Sequence, residues 1–134
     1  MRQTLLDSDT LTLFRKGHPR VIAKAGLYVQ EFGQLILSEF NYYEVTRGLK
    51  AVGATAQLAR FEEFCKAHRV LPFSHEAAVL AADIWADLRP KGQLIGEMDV
   101  MIASVAIREG LAVATRNASH FGRIKGLTIV DWSV

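Results

Sequence analysis

The chain has 134 residues and half of them are apolar, which suits one domain with a single core. No apolar run approaches the ~20 residues of a membrane-spanning helix, and the N-terminus lacks a signal-peptide pattern, so we expect a soluble cytoplasmic protein with no membrane partner. The formal charge of +2 excludes no partner class. The one cysteine, Cys65, excludes an internal disulfide and is more typical of a packed side chain than of a nucleophile.

Apolar segments alternate with helical patterns in the first half of the chain. The first predicted strand leads into a polar cluster at residues 7–10, and Ser38 is a suitable N-cap for the helix that carries Glu44. In chain order, the predicted elements of this half are a strand over 3–6, one or two helical turns over 11–14, a helix over 20–32, a strand over 34–37 and a helix over 39–50.

The second half continues the alternation. Its predicted elements are an amphipathic helix over 54–68, strands over 70–73, 111–114 and 127–130, helices over 75–88 and 98–107, and a turn over 121–125. The helix over 98–107 is apolar on nearly every face, which predicts burial, yet Asp99 lies at its start. The order of elements predicts one α/β domain over 1–134, a three-layer sandwich with helices flanking a mostly parallel sheet.

Polar side chains follow three of the predicted strands. Asp7 follows the first strand, Ser38 and Glu44 follow the second, and residues 115–117 follow the fourth. Asp99 begins the helix that leads into that fourth strand. Since the functional crevice of an open parallel sheet lies outside the carboxyl ends of its strands, we expect these groups to meet there.

Three carboxylates gathered in an apolar setting repel one another and are costly to desolvate unless a cation neutralises them. Oxygen ligands without a cluster of histidines or cysteines favour Mg²⁺ or Mn²⁺ over zinc. If Asp7, Glu44, Glu97 and Asp99 all lie in the site, the rest of the chain has sixteen basic and ten acidic residues. This excess of positive charge favours binding of a polyanion outside the acidic pocket.

Each acid also has a simpler explanation. Asp7 could cap the helix that follows it, and Asp99 could cap a helix that starts at the next residue. Glu44 could form an ion pair with Arg47 or Lys50 on its own helix. The four histidines show no ligand spacing and are expected to be structural. The joint pattern is more specific than any single residue.

Four segments together carry a known pattern. They are LLDSD at 5–9, YEVTRGL at 43–49, IGEMDVMIA at 95–103 and ATRNASHF at 114–121, followed by GLTIVDW at 126–132. In order and spacing these blocks resemble the signature blocks of PIN-domain ribonucleases, most closely the VapC toxins of bacterial toxin–antitoxin pairs. The first block departs from the usual Asp-Thr-Asn, and His120 stands where some members carry an acid.

The resemblance implies a catalytic set of Asp7, Glu44, Asp99 and Asn117, in which the three acids bind the metal. It leaves open which residue makes the outer contact or binds a second metal. The candidates for that role are Glu97, Asp9, Ser8 and Thr115. Candidates for binding flanking RNA phosphates are Arg116, Lys91 and Arg15.

The implied activity is Mg²⁺- or Mn²⁺-dependent endonucleolytic cleavage of a structured RNA such as a tRNA. The implied partners are a second copy of the chain, giving a homodimer, and a VapB-type antitoxin that blocks the acidic crevice in a higher-order complex. Two other functions remain open. A phosphatase of the haloacid dehalogenase type would use the motif at 7–10, although no downstream lysine and paired-acid motif supports it, and a dimerisation or adaptor domain would use the acids only as caps and ion pairs.

Overall fold

The structure, a computed structural model, describes all 134 residues. Five short strands form one sheet. The strands are β1 (Thr4–Leu6), β2 (Ile36–Ser38), β3 (Arg69–Leu71), β4 (Ala112–Ala114) and β5 (Ile129–Val130). The helices are α1 (Ser8–Arg15), α2 (Pro19–Phe32), α3 (Glu39–Ala51), α4 (Thr55–Ala67), α5 (His75–Leu88), α6 (Glu97–Arg108) and α7 (Ala118–Phe121).

The strand order is β3-β2-β1-β4-β5, and every pairing is parallel. Strand β1 lies at the centre, where Leu5 pairs with Ile36 of β2 and Leu6 pairs with Ala114 of β4. All five carboxyl ends therefore lie along the same edge of the sheet. The predicted α/β architecture is confirmed, with a sheet that is wholly rather than mostly parallel.

Two buried apolar clusters lie on opposite faces of the sheet. Successive side chains of a strand point to opposite faces, so Leu5 belongs to the cluster with α5 and α6, whereas Leu6 belongs to the cluster with α1, α2 and α4. Tyr28 and Trp132 pack in the second cluster with ring centroids 5.6 Å apart. None of the helices combines the length and apolarity that a bilayer crossing requires.

Three boundaries differ from the predicted ones in ways that affect the site. Helix α1 starts at Ser8, so Asp7 is its N-cap. Helix α6 starts at Glu97 with Gly96 as its N-cap, so the suggestion that Asp99 caps this helix is wrong, and Asp99 lies within the first turn. The short helix α7, which was not predicted, spans Ala118–Phe121 and includes the first residue of the turn predicted at 121–125. The other ends differ by a few residues at most, a usual uncertainty for element ends.

Candidate active site

An acidic cleft of about 650 Å³ opens at the carboxyl edge of the sheet. It lies where β1 passes into α1, where α6 begins and where β4 ends, and α3 forms one wall. Its lining residues are Asp7, Ser8, Asp9, Glu44, Asp99, Arg116, Asn117 and Phe121. Three carboxylates that are far apart in the sequence are therefore neighbours in the fold.

Asp7 is the most buried of these acids, with 4% of its surface exposed. Its Oδ1 accepts a hydrogen bond of 2.7 Å from the backbone N–H of Thr10, which caps α1. Burial raises the pKa of Asp7 above its usual value of 3.8, and hydrogen bonds from Thr115 and Thr10 only partly oppose this. The capping explanation is correct for one oxygen, and the residue nevertheless lines the cleft.

Glu44 is held by a chain of hydrogen bonds that begins at the start of α3. Asn41 accepts hydrogen bonds at Oδ1 from the backbone N–H of Ser38 (2.7 Å) and from Ser38 Oγ (2.8 Å). Its Nδ2 donates to Ser8 Oγ at 3.0 Å, and Ser8 Oγ donates to Glu44 Oε1 at 2.5 Å. Glu44 forms no ion pair with Arg47, whose guanidinium lies 5.0 Å from the centroid of the Tyr43 ring. The contacts of Ser8 therefore position Glu44 in the cleft.

Asn41 was not identified from the sequence, although it is fully buried and connects the cap of α3 to the cleft. The spacing of Ser38 and Asn41 is that of a capping box in which Asn stands in the place of the usual Glu or Gln. A search for capping boxes that accepted Asn would have found it.

We expect Asn41→Ala to lower the free energy of unfolding by about 2 kcal/mol, because the buried amide N–H of Ser38 loses its acceptor. Chemical denaturation measures this. Ser74→Ala, which removes a single N-cap bond of α5 away from the cleft, is the control and should cost about 1 kcal/mol. Equal stability of Asn41→Ala and the parent would contradict the network.

Asp99 is half-buried in the first turn of α6. Burial is the main cause that raises its pKa, and the charge of Glu44 raises it further, while His120 has a smaller opposite effect. Asp7 and Asp99, two of the four acids that line the cleft, therefore hold their protons more tightly than isolated aspartates do. Negative charge is concentrated here and is incompletely neutralised by the protein itself.

Asn117 lines the cleft directly after β4. Its Nδ2 lies 2.8 Å from His120 Nδ1, and its backbone N–H donates to Thr115 Oγ1 at 2.9 Å. Thr115 is fully buried beneath the cleft, so its contact is with Asp7 and the backbone rather than with the open space.

The remaining predicted site residues have other contacts. Arg116 pairs with Asp9 through two hydrogen bonds, of 2.8 and 3.0 Å, so within the cleft each neutralises the other. Lys91 pairs with Asp87 at 3.0 Å and is not among the residues that line the acidic cleft. Glu97, a candidate for the outer contact or a second metal, lines a separate apolar groove between α5 and α6 and is not among the residues that line the acidic cleft.

The donor set of the cleft suits a hard cation. No three Asp, Glu, His or Cys side chains converge closely enough to form a ready-made ligand cluster. Mg²⁺, however, usually keeps several waters and is bound through one or two carboxylates. Burial, the main cause of the raised pKa of Asp7 and of Asp99, disfavours their charged forms, and a divalent ion in the cleft would favour those charged forms. Carboxylate and amide oxygens without sulfur ligands favour Mg²⁺ or Mn²⁺.

Comparison with known proteins agrees with this geometry. The family model described as the PIN domain matches residues 4–127. The chain belongs to the PIN-domain family. Within that family it is similar to the tRNA(fMet)-specific endonuclease VapC of Salmonella typhimurium, with 32% identity over 133 residues covering 98% of this chain and 99% of the relative. The Shigella flexneri protein of the same name is 33% identical over 134 residues and covers 99% of this chain and 100% of its own length.

Comparison with solved structures also places this fold among VapC structures. The crystal structure of DNA-bound VapBC from Salmonella typhimurium contains a chain that matches with a TM-score of 0.87 and 29% identity. The match covers 98% of this chain and 99% of that one. The resemblance to VapC-type PIN-domain ribonucleases that the sequence motifs indicated is therefore confirmed.

Proposed function

We propose that this PIN domain is a toxin endoribonuclease that depends on Mg²⁺ or Mn²⁺ and cleaves a structured RNA such as a tRNA in the acidic cleft. The observation that carries the proposal is the meeting of Asp7, Glu44 and Asp99 in one cleft. The named activity of the relatives from Salmonella and Shigella, a tRNA(fMet)-specific endonuclease, supports a tRNA as substrate.

Asp7, Glu44 and Asp99 are the residues that would hold the ion. The backbone N–H of Thr10 donates to Oδ1 of Asp7, and Ser8 Oγ donates to Oε1 of Glu44, so these hydrogen bonds hold the two carboxylates in the cleft. A divalent ion bound there supplies a water of lowered pKa and stabilises negative charge on a phosphodiester. Asn117 would add a neutral oxygen or an N–H donor at the rim of the same cleft.

Proton transfer is assigned to Asp99. A carboxylate whose pKa is raised binds a proton more tightly than an ordinary aspartate does. Its position in the first turn of α6 fixes its backbone, and Glu44 lies close enough to affect its charge. Asp7 and Glu44 would hold the ion, and Asp99, the third residue that holds it, would also accept the proton of the attacking water.

A VapB-type antitoxin is the proposed inhibitor, and a homodimer that assembles into a larger complex with it is the proposed form of the toxin. The structural match to a chain of a VapBC complex supports this partner. The incompletely neutralised carboxylates of the cleft suit a basic segment of such a protein, which would occupy the place of the metal and the RNA.

Incubation of the purified chain with tRNA and Mg²⁺, with and without EDTA, tests the proposal. We expect RNA fragments with Mg²⁺ and a loss of about 100-fold or more with EDTA, because a catalytic metal stabilises the transition state by several kcal/mol. Added Mn²⁺ in excess of the chelator should restore cleavage. Phosphate release from a small ester without RNA fragments would favour a phosphatase, and no turnover of either substrate would favour an adaptor domain.

A further inference from the structure

A second pocket lies between α1 and α4, and its charge is opposite to that of the acidic cleft. This arginine pocket has a volume of about 370 Å³ and is lined by Arg15, Gln57, Arg60, Phe61 and Phe64. The guanidinium of Arg15 lies 5.3 Å from the centroid of the Phe61 ring. The rings of Phe61 and Phe64 are nearly parallel, with centroids 5.9 Å apart. Two cations and an aromatic wall therefore share one cavity.

The positive charge of the arginine pocket is not neutralised by the protein. Neither Arg15 nor Arg60 takes part in an ion pair. Partial burial lowers the pKa of Arg15, and the like charge of Arg60 lowers it further. By contrast, Arg116 and Lys91, the other candidates for binding phosphate, are each paired with a carboxylate. An anion placed between Arg15 and Arg60 would relieve their repulsion.

A groove connects the arginine pocket to the acidic cleft. It shares Ser8, Asp9 and Glu44 with the cleft and Arg15 with the pocket. On α1, positions 8, 12 and 15 are four and three residues apart, so they lie on one face that runs along the groove. Seven residues of helix span about 10 Å, which corresponds to about three stacked nucleotides at 3.4 Å each.

The opposite wall of the groove contains Gly48 of α3. A Cβ built at Gly48 would meet no atom within 4 Å, so the groove is open at this point. Any longer side chain here would extend into the free space between the two pockets.

We propose that the arginine pocket binds the RNA strand next to the cleavage site, with a phosphate between Arg15 and Arg60 and a base against the aromatic wall. This rests on the proposed function, because it assumes that RNA occupies the acidic cleft. Positive grooves that carry aromatic side chains are the usual means of binding single-stranded nucleic acid without sequence preference. Arginine planes and aromatic rings also stack on the unpaired bases of structured RNA.

Binding is measured by fluorescence anisotropy in an Asp7→Asn background, which prevents cleavage. The probes are a labelled dinucleotide and a labelled oligoribonucleotide of about eight nucleotides, long enough to span both pockets. Arg60→Gln should weaken binding of the longer probe by roughly fivefold to tenfold and reduce the slope of log K against log salt by about 0.7. Binding of the dinucleotide should stay unchanged.

Arg89→Gln is the matched control, because Arg89 also lies over an aromatic ring, that of Trp85, but lies outside the arginine pocket. It should bind both probes as the parent does. Gly48→Gln is a second, independent variant. Glutamine has a higher helix propensity than glycine, so this substitution should not destabilise α3. Its side chain should obstruct the groove and weaken binding of the longer probe alone.

The binding and cleavage results distinguish a failure of this proposal from a failure of the proposed function. If the parent chain cleaves RNA but Arg60→Gln and Gly48→Gln bind the longer probe as the parent does, the arginine pocket is not an RNA site. If Arg60→Gln leaves RNA binding unchanged and weakens binding of an acidic peptide, the pocket is a protein site and the proposal is wrong. If the parent cleaves no RNA, the proposed function itself fails.

Discussion

Asp7→Asn should reduce RNA cleavage by more than about 100-fold while leaving the fold intact. Groups that only support metal ligands typically contribute 10- to 100-fold, so a ligand itself should contribute more. Asparagine keeps the oxygen that accepts the Thr10 N–H, and Asn is as good an N-cap as Asp. Burial disfavours the charged form of Asp7, so replacing it with a neutral side chain also removes the desolvation penalty of that buried charge.

Cleavage rates at saturating Mg²⁺ and thermal unfolding measure the two effects of Asp7→Asn separately. Asp87→Asn is a matched control, since Asp87 is an aspartate whose partners, Lys91 and Lys125, lie outside the cleft. It should cleave as fast as the parent. If Asp7→Asn also cleaves at the parent rate, Asp7 is not a ligand.

Asp99→Asn should reduce RNA cleavage by an extent similar to that of Asp7→Asn. Without metal, the folded variant should be at least as stable as the folded parent at pH 7. The pKa of Asp99 is raised in the folded state, so the fold binds this proton more tightly than the unfolded chain does. The parent is therefore less stable above that raised pKa and regains stability as the pH falls through it towards the usual value of 3.8. Asparagine removes this dependence.

Urea denaturation across the acid range, in EDTA, tests the sign of the effect of Asp99→Asn. The stability difference between variant and parent should shrink as the pH is lowered. With Mg²⁺ the order should reverse, because only the parent gains stability from binding the ion. A parent that loses stability relative to the variant on acidification would contradict the raised pKa of Asp99.

The sequence was sufficient for the fold and for the meeting of the three acids. Strands that alternate with helices favour parallel pairing, and parallel strands place their carboxyl ends at one edge. The sequence predicted that Asp7 and Asn117 lie at this edge, and the structure adds that they follow two adjacent strands, β1 and β4. The roles of these residues in binding metal remain predictions.

The sequence was insufficient to predict side-chain positions that depend on where a helix begins or on ion pairs between residues far apart in the chain. Because α6 begins at Glu97, that residue lies about 200° around the helix from Asp99 and faces the groove against α5. The bidentate ion pair of Arg116 and Asp9 joins the segment after β4 to α1, and no local sequence pattern predicts it. The pair of Asp87 and Lys91 has the i, i+4 spacing that the sequence does show.

The central claim is that acids from three distant segments together bind one divalent cation at the carboxyl edge of the sheet. Crystals grown with Mn²⁺ and measured for anomalous scattering test it directly. We predict a peak in the acidic cleft within about 2.5 Å of carboxylate oxygens of Asp7 and of Glu44 or Asp99, and no such peak in Asp7→Asn crystals. A Mn²⁺ peak outside the cleft, or none at saturating Mn²⁺, would contradict the claim.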